Sequence, residues 1–181
     1  DEFIAQLAAL PLEFSPGDQW NYSVSTDVLG VIVQRLSGLD LESFFQTRIF
    51  APLGMRDTGF MVTPEQQKRL SGLYAWVDPA TGKPVEKPVL VDGPERTDWS
   101  ERPAMLAGGA GLVSTASDYA RFAQMMLNEG VFDGRMLLPR PVARLAMANL
   151  METGVFFNGH DGNGAGGRAI LSDRVASDPG Q

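Results

Sequence analysis

The sequence contains no cysteine and a single histidine, His160. Disulfides, thiolate nucleophiles and cysteine metal sites are therefore excluded. One imidazole without a second partner is a poor start for zinc, so no metal site is expected. Positive charge is also scarce, with 15 Lys and Arg against 22 Asp and Glu and a net charge of −7. Phosphates and anionic membrane surfaces are repelled by such a balance, and nucleic acid is not an expected partner. No apolar run approaches the roughly 20 residues that cross a bilayer, so no membrane span is expected. The chain opens on DEFIAQLAALPLEF with neither an initiator methionine nor a signal peptide. An opening in mid-domain leaves the compartment, cytoplasmic or periplasmic, undecided.

What is present suits a soluble globular domain. The 181 residues are 44% apolar and 20% charged, enough for one domain with its own core. Residues 1–10 predict a short helix stopped by Pro11. Ser15-Pro16-Gly17-Asp18 is turn chemistry. A helix is expected from Ser23 or Ser25, either hydroxyl serving as its cap. Val28, Leu29, Ile32, Val33 and Leu36 form its apolar stripe, and Gly38 its stop. Leu41, Phe44, Phe45 and Ile49 mark a further helix closed by Ala51-Pro52-Leu53-Gly54, and Thr63-Pro64-Glu65 opens a short one. Leu73–Val77 and the surroundings of Val85 predict two strands joined by a turn at Asp78–Gly82. Residues 88–106 carry few regular signals and predict an irregular excursion. Helix is expected again at Thr115–Asn128, with Tyr119, Phe122 and Met126 as its core stripe, and at Arg140–Asn149. Beyond residue 150 the chain changes, with six glycines between residues 154 and 167 and few side chains to pack.

Self-sufficient catalytic motifs are missing. There is no Gly-x-Ser-x-Gly elbow, no His-Glu-x-x-His and no Walker lysine loop. Gly162, Gly164 and Gly167 satisfy Gly-x-Gly-x-x-Gly only formally, because no strand precedes them and no helix follows. His160 lies in the glycine-rich tail with nothing to orient its ring as a triad would require. What remains is Tyr22, just before a helix and just after a glycine turn. Spacing alone favours a structural tyrosine there, with its ring packed and its hydroxyl hydrogen-bonded.

The segment PGDQWNYSVSTDVLGVIVQRLSG resembles the second active-site motif of the class C β-lactamase-like serine hydrolases, and YSVSTDVLG is most similar to the family VIII carboxylesterases. Two further stretches agree in order. IFAPLGMRDT is similar to the family's PLGM-x-x-T helix end, and GGAGLVSTASDYARF to its GGL-x-ST-x-x-D strand-to-helix entry. The resemblance covers about residues 10–150. It implies a mainly α fold with a small β component, a partial β-lactamase/transpeptidase-like fold. Residues 1–150 would be the helical part, and 151–181 a glycine-rich tail leading toward missing C-terminal strands.

The resemblance also implies roles. Tyr22 would be the catalytic general base toward the nucleophilic serine, then the acid toward the leaving group. A phenol does this near neutral pH when neighbouring cations favour its phenolate. Val24, Ala110 and Gly111 would line the substrate. Val24 stands where the lactamases carry an asparagine that holds a β-lactam amide, and valine makes no such bond. Ala110 replaces a larger residue and widens the pocket. The Val24 departure favours an ester over a β-lactam as the small-molecule substrate, and no cofactor is implied. Alternatives are a β-lactamase or D-alanyl-D-alanine carboxypeptidase, and a non-catalytic truncated or binding module. No serine is followed by lysine three positions on, and neither Lys-Thr-Gly nor Trp-Gly-Gly occurs. The chain is thus expected to lack the nucleophile, its lysine and the third motif, and to be inactive alone. Its incompleteness predicts exposed apolar surface and self-association through it.

Overall fold

The computed structural model describes residues 2–18, 21–95 and 97–150. The glycine-rich tail, His160 and the formal Gly-x-Gly-x-x-Gly lie outside them. The elements are α1 (Glu2–Ala8), α2 (Ser25–Ser37), α3 (Leu41–Phe45), a π-helical turn (Gln46–Phe50), α4 (Ala51–Leu53) and α5 (Pro64–Gln67). They are followed by strands β1 (Leu73–Val77) and β2 (Pro84–Asp92), a 3₁₀ turn (Asp98–Ser100), α6 (Ala116–Leu127), strands β3 (Val131–Phe132) and β4 (Arg135–Met136), and α7 (Arg140–Ala146). Helix dominates, and the β component is two antiparallel hairpins, as the sequence implies.

Local chemistry explains most boundaries. Asp18 donates its backbone N–H to Ser15 at 3.1 Å across a turn whose Gly17 sits at φ +98°, a conformation that costs glycine little. Gly38 (φ +70°) and Gly54 (φ +68°) close α2 and α4 in the left-handed conformation. Thr63 and Gln66 form a reciprocal capping box at α5, and Thr115 accepts the Asp118 amide at the start of α6. The π turn ends two positions before Pro52, which stands at N1/N2 of α4. A ring nitrogen there has no hydrogen for the preceding turn, which loosens the helical ladder.

Two apolar clusters make the core. Phe50, Leu53, Met55 and Met125 form one, enclosed by Ile49, Phe122, Met126, Phe132, Leu137 and Leu138. Leu41, Phe60 and Leu106 form the other, with Val33 against it. Phe45 packs on both and stacks on Phe60 with ring centroids 6.1 Å apart. Arg121 closes the first cluster, donating to the Leu53 carbonyl at 3.4 Å with its guanidinium 5.9 Å from the Phe132 ring centre.

Four expectations are corrected. Neither serine is the N-cap of α2: that position is Val24, without a side-chain bond, while Ser23 Oγ accepts the amide of Ser25, the first helical residue, at 3.3 Å. The α2 stripe faces the core only in part: Val33 packs against the second cluster, but Leu29, Ile32 and Leu36 are exposed and Gly30 is the buried residue. The helix approaches its neighbours on the glycine side, where a Cβ on Gly30 would lie 3.0 Å from Gly108 Cα. In α6 the inward face is centred on Asp118, Phe122 and Met125, and Tyr119 is 63% exposed. The inward position beside it is taken by Asp118, whose tertiary contacts are described below. Finally, β2 runs on to Asp92 through a stretch expected to be irregular. Pro88 falls in a bulge between the pairs Ala75↔Val89 and Val77↔Pro84, where the ladder asks no N–H of it.

Candidate active site

Tyr22 sits three residues before α2, in a segment fastened by Asn21 donating to Glu13 at 2.5 Å. Its side chain is 70% exposed, and among the described residues its hydroxyl has no hydrogen-bond partner. The packed, structural tyrosine favoured by spacing is not what is found. Val24 follows as the N-cap of α2, with its carbonyl accepting the amides of Asp27 at 3.0 Å and Val28 at 3.1 Å.

The glycine loop before α6 comes back to this helix start. Gly109 donates its N–H to Asp27 Oδ1 at 3.1 Å, across 82 positions of sequence. The approach is closer than any side chain would permit. A Cβ on Gly108 would stand 2.1 Å from the Thr26 carbonyl oxygen, and one on Gly109 2.5 Å from Thr26 Oγ1. Ala110, next in the chain, is exposed. Gly111 has φ +94°, and its position is hemmed by the Phe60 ring, 3.4 Å from where a Cβ would be. The four residues singled out from the sequence thus fall into two segments, Tyr22–Val24 and Ala110–Gly111, joined through Asp27 and Gly109.

Beyond Gly111 the loop is pinned again. Val113 and Gly59 exchange backbone hydrogen bonds of 3.1 and 2.9 Å. Asp118, 6% exposed, accepts the Asp57 amide at 2.7 Å and the Thr58 hydroxyl at 2.8 Å, both on Oδ2. Asp57 itself pairs with Arg69, whose guanidinium holds its carboxyl below the usual range, aided by Gln66. Asp27 and Asp118 are acids in the first turns of α2 and α6, a placement the dipole favours. Their work as cross-links was missed. The adjacent glycines 108 and 109 were the available signal, since a glycine pair outside a turn implies close backbone approach.

A cavity of about 420 Å³ opens beside Gly111. Phe60, Trp99, Met105 and Ala107 give it an apolar lining, and Asp98, Glu101 and Arg102 a charged one. Of the four predicted site residues only Gly111 lines it. Its size and mixed lining suit a small organic molecule. Among the described residues no group of His, Asp or Glu is placed to hold a metal ion, and no helix is long and apolar enough to cross a membrane.

A family model described as Beta-lactamase matches residues 1–176. The chain belongs to the beta-lactamase family. Membership makes it part of a serine hydrolase family whose curated relatives include esterases and acyltransferases. It is 38% identical over 153 residues to an uncharacterized protein of Mycobacterium tuberculosis, covering 84% of this chain and 36% of that protein. With esterase EstB of Burkholderia gladioli it shares 33% identity over 129 residues, 67% of this chain and 32% of the relative. The solved structure of simvastatin synthase (LovD) from Aspergillus terreus superposes with a TM-score of 0.63 at 25% identity, over 85% of this chain and 38% of that one. The fold is accordingly a partial β-lactamase/transpeptidase-like fold. The chain spans about a third of the length of the curated relatives it matches.

Proposed function

We propose that this beta-lactamase family chain is the tyrosine-bearing part of a carboxylesterase that cleaves short-chain esters through an acyl-serine intermediate. The observation that carries the reading is the join between the two motif segments, in which the Gly108–Gly109 loop lies against the helix start that follows an exposed Tyr22. A general base must be free to reach its proton, and Tyr22 has no competing partner among the described residues. Val24 favours an ester, since it lacks the polar side chain that would grip a β-lactam amide. The 33% identity to esterase EstB supports the same substrate class.

In this mechanism Tyr22 takes the serine proton during acylation and returns it to the leaving alcohol. Water then attacks the acyl-serine, with Tyr22 accepting the water proton and passing it to the serine oxygen as the acyl C–O bond breaks. The serine, and the lysine that would favour the phenolate, come from polypeptide outside these 181 residues, because no Ser-x-x-Lys occurs within them. The isolated chain is therefore inactive.

Hydrolysis of p-nitrophenyl butyrate tests both points. The full-length protein should turn it over, Tyr22→Phe should lose about 10²–10⁴-fold in kcat, and the isolated chain should show nothing above buffer. Turnover by the isolated chain that disappears in Tyr22→Phe would refute the need for an outside nucleophile. Hydrolysis of penicillins without esters would refute the substrate class. The likeness to simvastatin synthase favours a second reading, in which an alcohol replaces water as acyl acceptor. Ester formation from p-nitrophenyl butyrate in added alcohol would reveal it.

A further inference from the structure

We infer that Asp27 is a positioning residue whose carboxylate holds the Gly108–Gly111 segment against the helix after Tyr22 and thereby sets the width of the substrate cleft. The inference rests on the esterase reading above for what the cleft binds, but not for the contact itself. Three observations carry it. The bond from the Gly109 amide to Asp27 Oδ1 is 3.1 Å and is made to an ionised acceptor, a class of hydrogen bond stronger than a neutral one. The loop has no side chains that could substitute for it: Gly108 and Gly109 press on Thr26 so closely that any Cβ would collide. The far end of the same loop is pinned independently by the Gly59–Val113 pairing and by Phe60 under Gly111.

A loop tied at both ends has one free variable between them, the distance of Ala110 from the Tyr22 segment. The far tie is made of backbone and ring contacts spread over several residues. The near tie is a single carboxylate with steric contact around it. Losing Asp27 should release the near end alone, letting Ala110 move away from α2 while the core beneath Gly111 stays in place. Such a change alters which acyl groups fit more than it alters proton transfer by Tyr22.

The full-length protein is compared with its Asp27→Ala, Asp27→Asn and Gly109→Ala variants by hydrogen-exchange mass spectrometry over residues 106–113, and by kinetics on p-nitrophenyl acetate, butyrate and octanoate. In Asp27→Ala, exchange of this segment should speed up about tenfold or more, the loss of one hydrogen bond to a charged group. The KM ratio between acetate and octanoate should shift severalfold, with the pH profile of kcat unmoved. Asp27→Asn keeps an acceptor oxygen and should restore most of the protection and the native ester preference. Gly109→Ala, which forces the loop off Thr26, should reproduce the Asp27→Ala pattern. Unchanged exchange in Asp27→Ala would overturn the inference, as would a uniform loss of kcat on all three esters. A wild-type protein with no esterase activity would refute the functional reading instead, and the exchange data would still decide whether Asp27 holds the loop.

Discussion

Asp118 offers the sharpest test of how this fold is held together. Its carboxylate is 6% exposed and receives the Asp57 amide at 2.7 Å and the Thr58 hydroxyl at 2.8 Å. Replacing it by alanine leaves the Asp57 amide without an acceptor in a half-buried setting, and leaves the Thr58 hydroxyl only the neutral Ser114 Oγ at 2.8 Å. A hydrogen bond to a charged group contributes about 1.5–3 kcal/mol, and two that share one oxygen belong at the lower end, giving about 3 kcal/mol. Loss of a negative charge in the first turn of α6 adds roughly 0.3–1 kcal/mol. The expected cost of Asp118→Ala is therefore about 3–4 kcal/mol, a large share of the roughly 5–15 kcal/mol that stabilises a typical domain. At about 2–4 °C per kcal/mol for a chain of this size, the midpoint should fall by roughly 10 °C. Asp118→Asn keeps an acceptor oxygen without the charge and should cost about half as much. Urea unfolding followed by circular dichroism measures both. Thr58→Val in the Asp118→Ala background should add less than it does in the wild type, because the two share the bond. A fully additive pair, or an Asp118→Ala chain within about 0.5 kcal/mol of wild type by the criterion for inert surface sites, would refute the cross-link.

Gly130→Ala should destabilise by about 2–3 kcal/mol or more, since Gly130 has φ +91° and a Cβ there would sit 2.2 Å from the Leu138 carbonyl oxygen; Gly82→Ala, at φ +67° with open space around it, should cost only about 1 kcal/mol. Equal costs in urea unfolding would show that backbone strain alone decides. Removing the capping box by Thr63→Ala should cost about 0.5–2 kcal/mol, and a melting point unchanged within error would refute a role for that cap. On acidification, Asp57 beside Arg69, Glu129 beside Arg144 and Asp40 bonded by the Ser43 amide all have carboxyls held below the ordinary range. Their stabilisation is present above the pKa of the unfolded carboxylates and lost as pH falls through the lowered folded values. Stability should stay level down to about pH 5 and decline below about pH 4, modestly because the groups are exposed. A urea midpoint that rises between pH 5 and 3 would contradict this.

The sequence made legible what depends on a few adjacent residues. Gly17, Gly38 and Gly54 each take the left-handed turn expected of them, and Thr63 and Thr115 each accept the amide three positions on. Directions set by distant partners were not legible. The apolar residues of α2 recur at helical spacing, but the buried side is chosen by the fit of Gly30 against Gly108. Tyr119 has the spacing of a core residue, but the inward position beside it is taken by Asp118, which is bonded by Asp57 and Thr58. Pro88 marks a break in most strands, and its place within a bulge lets β2 continue. Within the site, Tyr22 and the glycine loop were found through their motifs, whereas Asp27 was hidden because its partner lies 82 residues away.

The three stretches that carry the family resemblance touch one another, and this explains why they occur together. The Tyr22 helix meets the glycine loop through Asp27. The glycine loop leads into the Gly59–Val113 pairing, and Asp118 then binds Asp57 and Thr58 of the PLGM-RDT stretch. Most of the motif residues are consumed in building this chain of contacts, and they specify an architecture before they specify a reaction. Tyr22 and Ala110 stay exposed, as do Leu29, Ile32, Leu36 and Tyr119, and Tyr22 is the exposed hydroxyl that the second motif singles out. Residues with no structural partner in a segment otherwise spent on contacts are where chemistry has room to act, and the esterase assay on Tyr22→Phe asks that question directly.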